Sequence, residues 1–437
     1  MRSTLPDRPS VRSGWRRLGT AAAATAALLL AGFGTAVQAD AASSAATAKA
    51  TWTATPCATP QHKGELACNS YRVTGGLTAY QKEQAKITGV TPKAADAATP
   101  SGYGPTDLQS AYGLTSAAAS NGAGETIAIV DAYNDPNAEA DLATYRSYYG
   151  LSACTTANGC FKKVSQTGST TSLPASDTGW AEEISLDLDM ASAVCPNCSI
   201  LLVEATSATM ANLGTAVNRA VTLGAKYVSN SYGGSESSSD TSYDSSYFNH
   251  TGVAITVSAG DSGYGAEYPA ASKYVTSVGG TALSKATSTT RGWSETVWKT
   301  SSTEGTGSGC SSYDTKPTWQ TDTGCTKRTI SDVSAVADPA TGVSVYDSYG
   351  ITAGWYTFGG TSASSPIIAG VYALAGTPST SSYPASFPYA KAGTSALNDV
   401  TSGNNGTCST TYLCTAQSGY DGPTGWGTPE GVSAFTG

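Results

Sequence analysis

Histidine is nearly absent from this chain, whose 437 residues contain two, His62 and His250. That scarcity argues against a histidine-rich metal centre and confines imidazole catalysis to two positions. Charge is sparse as well. Asp, Glu, Lys and Arg make up 13% of the residues, 32 acids against 24 bases, for a formal charge of −8. An acidic chain is a poor partner for nucleic acid or an anionic membrane surface. Long apolar runs are missing beyond the first forty residues, so no later stretch reads as a membrane span. There is no internal repeat.

The opening residues have a different character. Arg2, Arg8, Arg12, Arg16 and Arg17 precede an Ala- and Leu-rich run from Thr20 to Val37, and Val37-Gln38-Ala39 reads as a small-residue cleavage site. This pattern predicts a secretory signal peptide over 1–39 and a secreted, extracellular destination. All ten cysteines follow it. An even number in an exported chain implies disulfides, and proximity alone suggests Cys57–Cys68, Cys154–Cys160, Cys195–Cys198, Cys310–Cys325 and Cys408–Cys414. The single Cys195-Pro-Asn-Cys198 has no second CxxC, so it reads as a loop staple rather than a zinc or redox motif.

Residues 40–100 show little periodicity and read as a short pro-segment or linker. From 101 to 437 the texture is that of one domain. Thr126–Asp131, Ser199–Ala205, Tyr227–Tyr232, Val253–Ser258 and Tyr274–Val278 are short apolar runs suited to buried strands. Helix-period segments lie at 137–149, 180–194 and 210–223. Strands alternating with helices predict an α/β fold, a parallel sheet with helices on both faces. Chemistry gathers at the carboxyl ends of such strands. Residues 290–355 read as loop-rich and 375–437 as Gly/Ser/Tyr-rich with few helical signals.

Three stretches stand out chemically. In Phe358-Gly-Gly-Thr-Ser-Ala-Ser-Ser-Pro366 a glycine pair leads through Ser362 into a small-residue helix. A hydroxyl there faces free backbone N–H groups, which suits either a capping residue or a nucleophile that develops an oxyanion. In Ala181-Glu-Glu-Ile-Ser-Leu-Asp-Leu-Asp-Met190, Glu183 and Asp187 lie one helical turn apart. The flanking Ile184, Leu186, Leu188 and Met190 leave that helix no wide polar side, and buried carboxyls so placed share a proton. In Val257-Ser-Ala-Gly-Asp-Ser-Gly263 a strand breaks into a glycine-flanked turn with Asp261 at its tip. His250 is the one histidine outside the 40–100 segment, but it precedes the Asp261 strand, an unsuitable order for a Ser-His-Asp triad.

Together, Gly360-Thr-Ser-Ala-Ser-Ser-Pro366, Glu183-Ile-Ser-Leu-Asp187 and Ala259-Gly-Asp-Ser-Gly263 resemble the sedolisin family of serine-carboxyl peptidases, which have a subtilisin-like fold. Ser229-Asn-Ser-Tyr-Gly-Gly234, Asp332–Gly342 and Gly422-Pro-Thr-Gly-Trp-Gly-Thr-Pro429 extend the likeness. The resemblance implies Ser362 as nucleophile, Glu183 as general base, Asp187 as its orienting partner and Asp261 as oxyanion donor. It also implies a structural Ca²⁺ held by Asp399, Val400, Gln417, Gly419 and Asp421, with a glutamine at 417 where the family usually has glycine. Asp131 and Tyr232 stand where relatives often carry Glu and Trp, and segment 40–100 is shorter than the family's usual pro-domain. The expectation is thus a secreted, monomeric, acid-acting endopeptidase for protein or peptide substrates. A His250-dependent subtilisin-like peptidase and an inactive binding protein of the same fold are the alternatives.

Overall fold

The structure, a computed structural model, describes residues 49–90 and 97–437. The signal peptide expected over 1–39 lies outside the described residues. The centre is an eight-stranded sheet whose strands run Trp293–Val297, Thr276–Lys285, Ala254–Ser258, Tyr227–Asn230, Thr126–Ala132, Ser199–Ala205 and Phe161–Ser165, with Val333–Val336 added beside Thr276–Lys285. All neighbours are parallel except Trp293–Val297. Thr126-Ile-Ala-Ile-Val-Asp-Ala132 is buried from Ile127 onward, as an apolar run covered by helices on both faces must be. This is the parallel α/β architecture expected from the alternating pattern, and it accords with the subtilisin-like fold that the resemblance implied.

Two helices carry the chemical residues. Thr178–Val194 starts on Asp177, whose side chain caps the N–H of Trp180, and is buried from Gly179 to its end. Thr361–Ala375 is buried through Leu374. Gly370 lets the two approach, since a β-carbon there would lie 2.8 Å from Val194 Cγ1. The second helix is also tied to the sheet through Ser365, whose hydroxyl meets those of Ser229 and Thr256 at 3.0 Å.

The structure corrects several sequence expectations. Tyr227–Tyr232 is not one strand. Tyr227–Asn230 stays in the central sheet, while Tyr232–Ser235 pairs with Ala67–Cys68 and Glu267–Tyr268. The break falls at Ser231, whose hydroxyl is taken up by Asp187. Residues 290–355 contain Trp293–Val297, Gly305–Cys310, Thr329–Ile330, Val333–Val336 and Val343–Asp347. Their Gly, Ser and Thr content hides the strand period. The segment before residue 100 is folded too: Thr51–Ala54 pairs with Tyr71–Gly75, which pairs in turn with Gly354–Gly359. Helix Ala79–Thr88 follows, closed at its start by a Thr78/Gln81 capping box. The five disulfides join the cysteines paired above by proximity. No helix among the described residues is long and apolar enough to cross a membrane.

The close approach at Gly370 yields a test. Gly370→Val should force the two helices apart and cost about 1–3 kcal/mol by overpacking. Urea unfolding of the two proteins measures the difference, and equal midpoints would mean that the contact is slack.

Candidate active site

Ser362 follows Gly360, which holds a left-handed φ of 97°. No side chain fits there. A β-carbon would lie 2.2 Å from the Asn69 carbonyl oxygen and 2.6 Å from Asp261 Oδ2. Glycine is therefore needed both for the backbone conformation and for the approach of two oxygens. Pro366, the sixth residue of the Thr361–Ala375 helix, lies beyond its first turn. It cannot donate to the Ser362 carbonyl, which lies 3.3 Å from Ser231 Oγ.

Asp261 follows the end of the strand Ala254–Ser258. Its Oδ1 accepts the Thr361 N–H at 2.8 Å and the Thr361 hydroxyl at 2.7 Å. Its Oδ2 is buried with no hydrogen-bond partner among the described residues. Burial raises the Asp261 pKa well above the usual carboxylate range, the Thr361 bonds lower it, and Glu267 and Glu183 raise it further. A neutral carboxyl there can donate through its free oxygen.

Glu183 and Asp187 project from one side of the Thr178–Val194 helix. Burial drives Glu183 up to about 8, against the lowering effect of hydroxyls from Ser362 and Ser70. The Ser362 hydroxyl makes its directed hydrogen bond to the Ser231 carbonyl at 3.2 Å, and Ser70 Oγ donates to Glu183 Oε2 at 2.5 Å. Asp187 accepts Ser231 Oγ at 2.8 Å on each oxygen. It is raised well above its ordinary value by burial, then by Asp131 and Glu183. Asp131, at the end of its strand, is raised by burial and by Glu183 and Glu204, and neither of its oxygens has a hydrogen-bond partner among the described residues. Three carboxyls thus repel one another in a dry site, which disfavours their ionising together and favours a shared proton. The joined sulfurs of Cys57 and Cys68 lie within 4.8 Å of Glu183, walling it from solvent.

The structure therefore brings Glu183, Asp187, Asp261 and Ser362 to the carboxyl ends of the parallel strands. Beside them is a cleft of about 590 Å³ lined in part by Asn69, Gly233, Asp261 and Glu267. His250 is engaged elsewhere, its Nε2 lying 2.8 Å from Asn218 Oδ1. The sequence reading assigned no role to Ser231, although it quoted the Ser229–Gly234 motif containing it. It missed Asn69 and Ser70 altogether, because nothing in the periodicity of segment 40–100 marks a strand.

In the C-terminal loop, Asp399 Oδ2 accepts the Gly419 N–H at 2.9 Å, and Asp421 Oδ2 accepts that of Gln417 at 3.1 Å. Val400 is buried beside Asp399. Asp421 is pushed up to about 7, first by burial and in part by the Asp399 charge. Two carboxylates crowded together in a loop that also offers backbone carbonyls form an all-oxygen donor set, which fits a hard divalent cation such as Ca²⁺.

Comparison with known proteins agrees with this geometry. Residues 169–386 match the subtilase family, Peptidase_S8. Kumamolisin of Bacillus sp. strain MN-32 is 31% identical over 366 residues, covering 77% of this chain and 63% of that protein. Sedolisin of Pseudomonas sp. strain 101 is 35% identical over 201 residues, covering 40% of this chain and 33% of that protein. The chain thus spans less than two thirds of either relative's length. Pseudomonas sedolisin, a serine-carboxyl proteinase solved with two molecules of pseudo-iodotyrostatin, superposes with a TM-score of 0.61 at 27% identity, over 76% of this chain and 96% of that one. Fold and match together define a protein of the subtilisin-like serine peptidase class. Within that class, the chain belongs to the sedolisin family.

The buried carboxyls set a pH dependence of stability. Burial leads in raising Glu183 and Glu204 to about 8 and Glu182 and Glu267 to about 7. The ordinary Glu value is about 4.3. The native state then holds more protons than the unfolded chain between those limits, so stability is greatest below about pH 4 and falls as pH rises through 7–8. Thermal melts should give a Tm several degrees higher at pH 4 than at pH 8. A Tm that climbs toward neutrality would contradict the burial of these acids.

Proposed function

We propose that this protein is a secreted, acid-acting endopeptidase that cuts peptide bonds through an acyl-enzyme on Ser362. The observation that carries this reading is that the Asn69 carbonyl meets the Ser362 N–H and lies beside Asp261, while Glu183 takes the next residue's hydroxyl, that of Ser70, and Asp187 holds Ser231. Glu183 acts as general base, taking the Ser362 proton on attack and returning it to the leaving nitrogen. Asp187 orients Glu183 and shares its proton. Asp261, neutral in acid, donates its free oxygen's proton to the oxyanion alongside the Ser362 N–H. Such a site fails once Asp261 ionises, so activity belongs to acid conditions. His250 has no part in it.

The segment over 40–100 is a pro-segment or linker in this reading, and 101–437 is the peptidase domain. The five disulfides support export, and the acidic, low-charge composition suits a monomer acting on proteins or peptides rather than on nucleic acid or membranes. Asp399, Val400, Gln417, Gly419 and Asp421 would hold a structural Ca²⁺, the two aspartates by carboxylate and the rest by backbone carbonyl. Bound there, the ion would neutralise the Asp399/Asp421 repulsion and brace the C-terminal loop.

A pH–rate profile on denatured casein tests the mechanism. Activity should peak in acid and vanish in Ser362→Ala and Glu183→Ala. Asp261→Ala should lose about 10²–10³ in kcat, the usual cost of removing an oxyanion donor. A rate level from mildly acid to alkaline pH, or loss in His250→Ala, would select the imidazole alternative. No turnover under any condition would favour an inactive binding protein. For the metal, EDTA should lower the Tm and added Ca²⁺ should restore it, whereas an unchanged melt would remove the calcium assignment.

A further inference from the structure

Residues 67–75 cross the active site as a bound peptide would. Ala67 and Cys68 pair antiparallel with Gly233 and Tyr232. The Asn69 N–H faces the Ser231 carbonyl at 3.4 Å and Ser362 Oγ at 3.1 Å. The Asn69 carbonyl accepts the Ser362 N–H at 2.9 Å, and it shares with Asp261 Oδ2 the space left open by Gly360. Beyond it, Tyr71 and Arg72 pair with Gly359 and Phe358, and Arg72 forms an ion pair with Glu182 at 2.8 Å. The backbone is therefore gripped on both sides of the Asn69–Ser70 bond, with the carbonyl of that bond in the oxyanion position.

The Asn69 side chain turns into a pocket of its own. Its Nδ2 donates to Ser258 Oγ at 2.9 Å. A β-carbon on Gly233 would lie 3.3 Å from that nitrogen and 2.6 Å from Glu267 Oε2, and one on Gly260 would meet the Glu267 carboxyl at 2.7–2.9 Å. The two glycines thus make room for Glu267 beside the amide. A pocket ending in two acceptors favours a short side chain that carries N–H groups. Leucine would leave Ser258 and Glu267 unsatisfied, and a protonated aspartic acid would have one proton to offer the two groups where asparagine has two.

We propose that Gly233, Ser258, Gly260 and Glu267 make the enzyme selective for asparagine on the acyl side of the bonds it cleaves, the Asn69–Ser70 bond of the chain itself being the instance the structure displays. The proposal rests on the peptidase reading above and names its substrate preference. In the step, Ser362 Oγ adds to the Asn69 carbonyl carbon while its proton passes to Glu183. The Asn69 C–Ser70 N bond then breaks as Glu183 delivers the proton to the Ser70 nitrogen. Water hydrolyses the resulting ester, leaving a carboxyl on Asn69, an amine on Ser70 and a free hydroxyl on Ser362. None of the five disulfides spans the cut, since Cys57–Cys68 lies wholly before it.

The test has two arms. The full chain is shifted from neutral pH to pH 4 beside Ser362→Ala and followed by intact mass and N-terminal sequencing. We expect a product beginning at Ser70 from the wild type and none from the variant. A wild type that digests casein without producing that end refutes this inference alone, and one that does neither refutes the peptidase reading with it. In the second arm, quenched peptides differ only at the acyl-side position. The kcat/KM for Asn should exceed that for Leu and Asp by at least about tenfold. Ser258→Ala and Glu267→Leu should shrink the Asn/Leu ratio, mainly through KM, while Glu267→Gln keeps more of it. Equal kcat/KM for Asn and Leu would overturn the assigned pocket.

Discussion

The site depends on burying carboxyl groups beside the serine with little cationic charge to balance them. A charge removed from water needs a counter-ion, several hydrogen bonds or a proton. At Glu182 the counter-ion is Arg72. At Asp131, Glu183 and Asp187 burial and mutual repulsion all push toward protonation. Much of the local structure follows. The helix carrying Glu183 and Asp187 is buried around its whole circumference, so the acids cannot escape to solvent. Ser231 leaves the strand pattern, which frees its hydroxyl for Asp187 and its carbonyl for Ser362. Asp261 is held by one oxygen so that the other stays available.

Under the proposed mechanism, this arrangement also explains how a serine could work without imidazole. A histidine base is useful because it titrates near neutrality. Desolvation brings a carboxyl into the same range, at the cost of placing it where only another carboxyl can share the proton. The exchange couples the base to the oxyanion donor. The burial that raises Glu183 also keeps Asp261 neutral, and pH acts on the two in opposite senses, since the base must be able to release its proton and the donor must keep its own.

The chemical residues were legible in the sequence, and much of their surroundings was not. Glu183 and Asp187 stood out because four apolar neighbours excluded a solvated acidic face, and Ser362 because a glycine pair opened an apolar helix. The parallel strands Thr126–Ala132, Ser199–Ala205 and Ala254–Ser258 were readable because they are buried on both faces and so form continuous apolar runs, whereas Phe161–Ser165, with Lys162 and Lys163 in its middle, was not. The strands between 290 and 355 were hidden, since Gly305-Thr-Gly-Ser-Gly-Cys310 has no side-chain pattern to read. The Tyr227–Tyr232 run was misjudged at Ser231, where a tertiary bond to Asp187 outweighs strand propensity. Segment 49–77 was opaque for a related reason. Its order comes from backbone pairing with Tyr232–Ser235 and Gly354–Gly359, and backbone pairing leaves little trace in side-chain periodicity.

In the proposed mechanism, that segment also holds the site one hydrogen bond short of attack. Ser70 Oγ holds Glu183 Oε2, while the Ser362 hydroxyl points to the Ser231 carbonyl. The base therefore serves the residue after the bound carbonyl, and the nucleophile is held by a backbone oxygen too weakly basic to take its proton. Attack requires the Ser362 hydroxyl to leave the Ser231 carbonyl for Glu183. Glu183 Oε1 has no hydrogen-bond partner among the described residues, so Ser362 has an oxygen to turn to without Ser70 leaving the cleft. That oxygen can receive a proton from Ser362 when Asp187 carries the proton the pair shares. The pairing that lets Glu183 act as a base is thus the same pairing that keeps both acids buried.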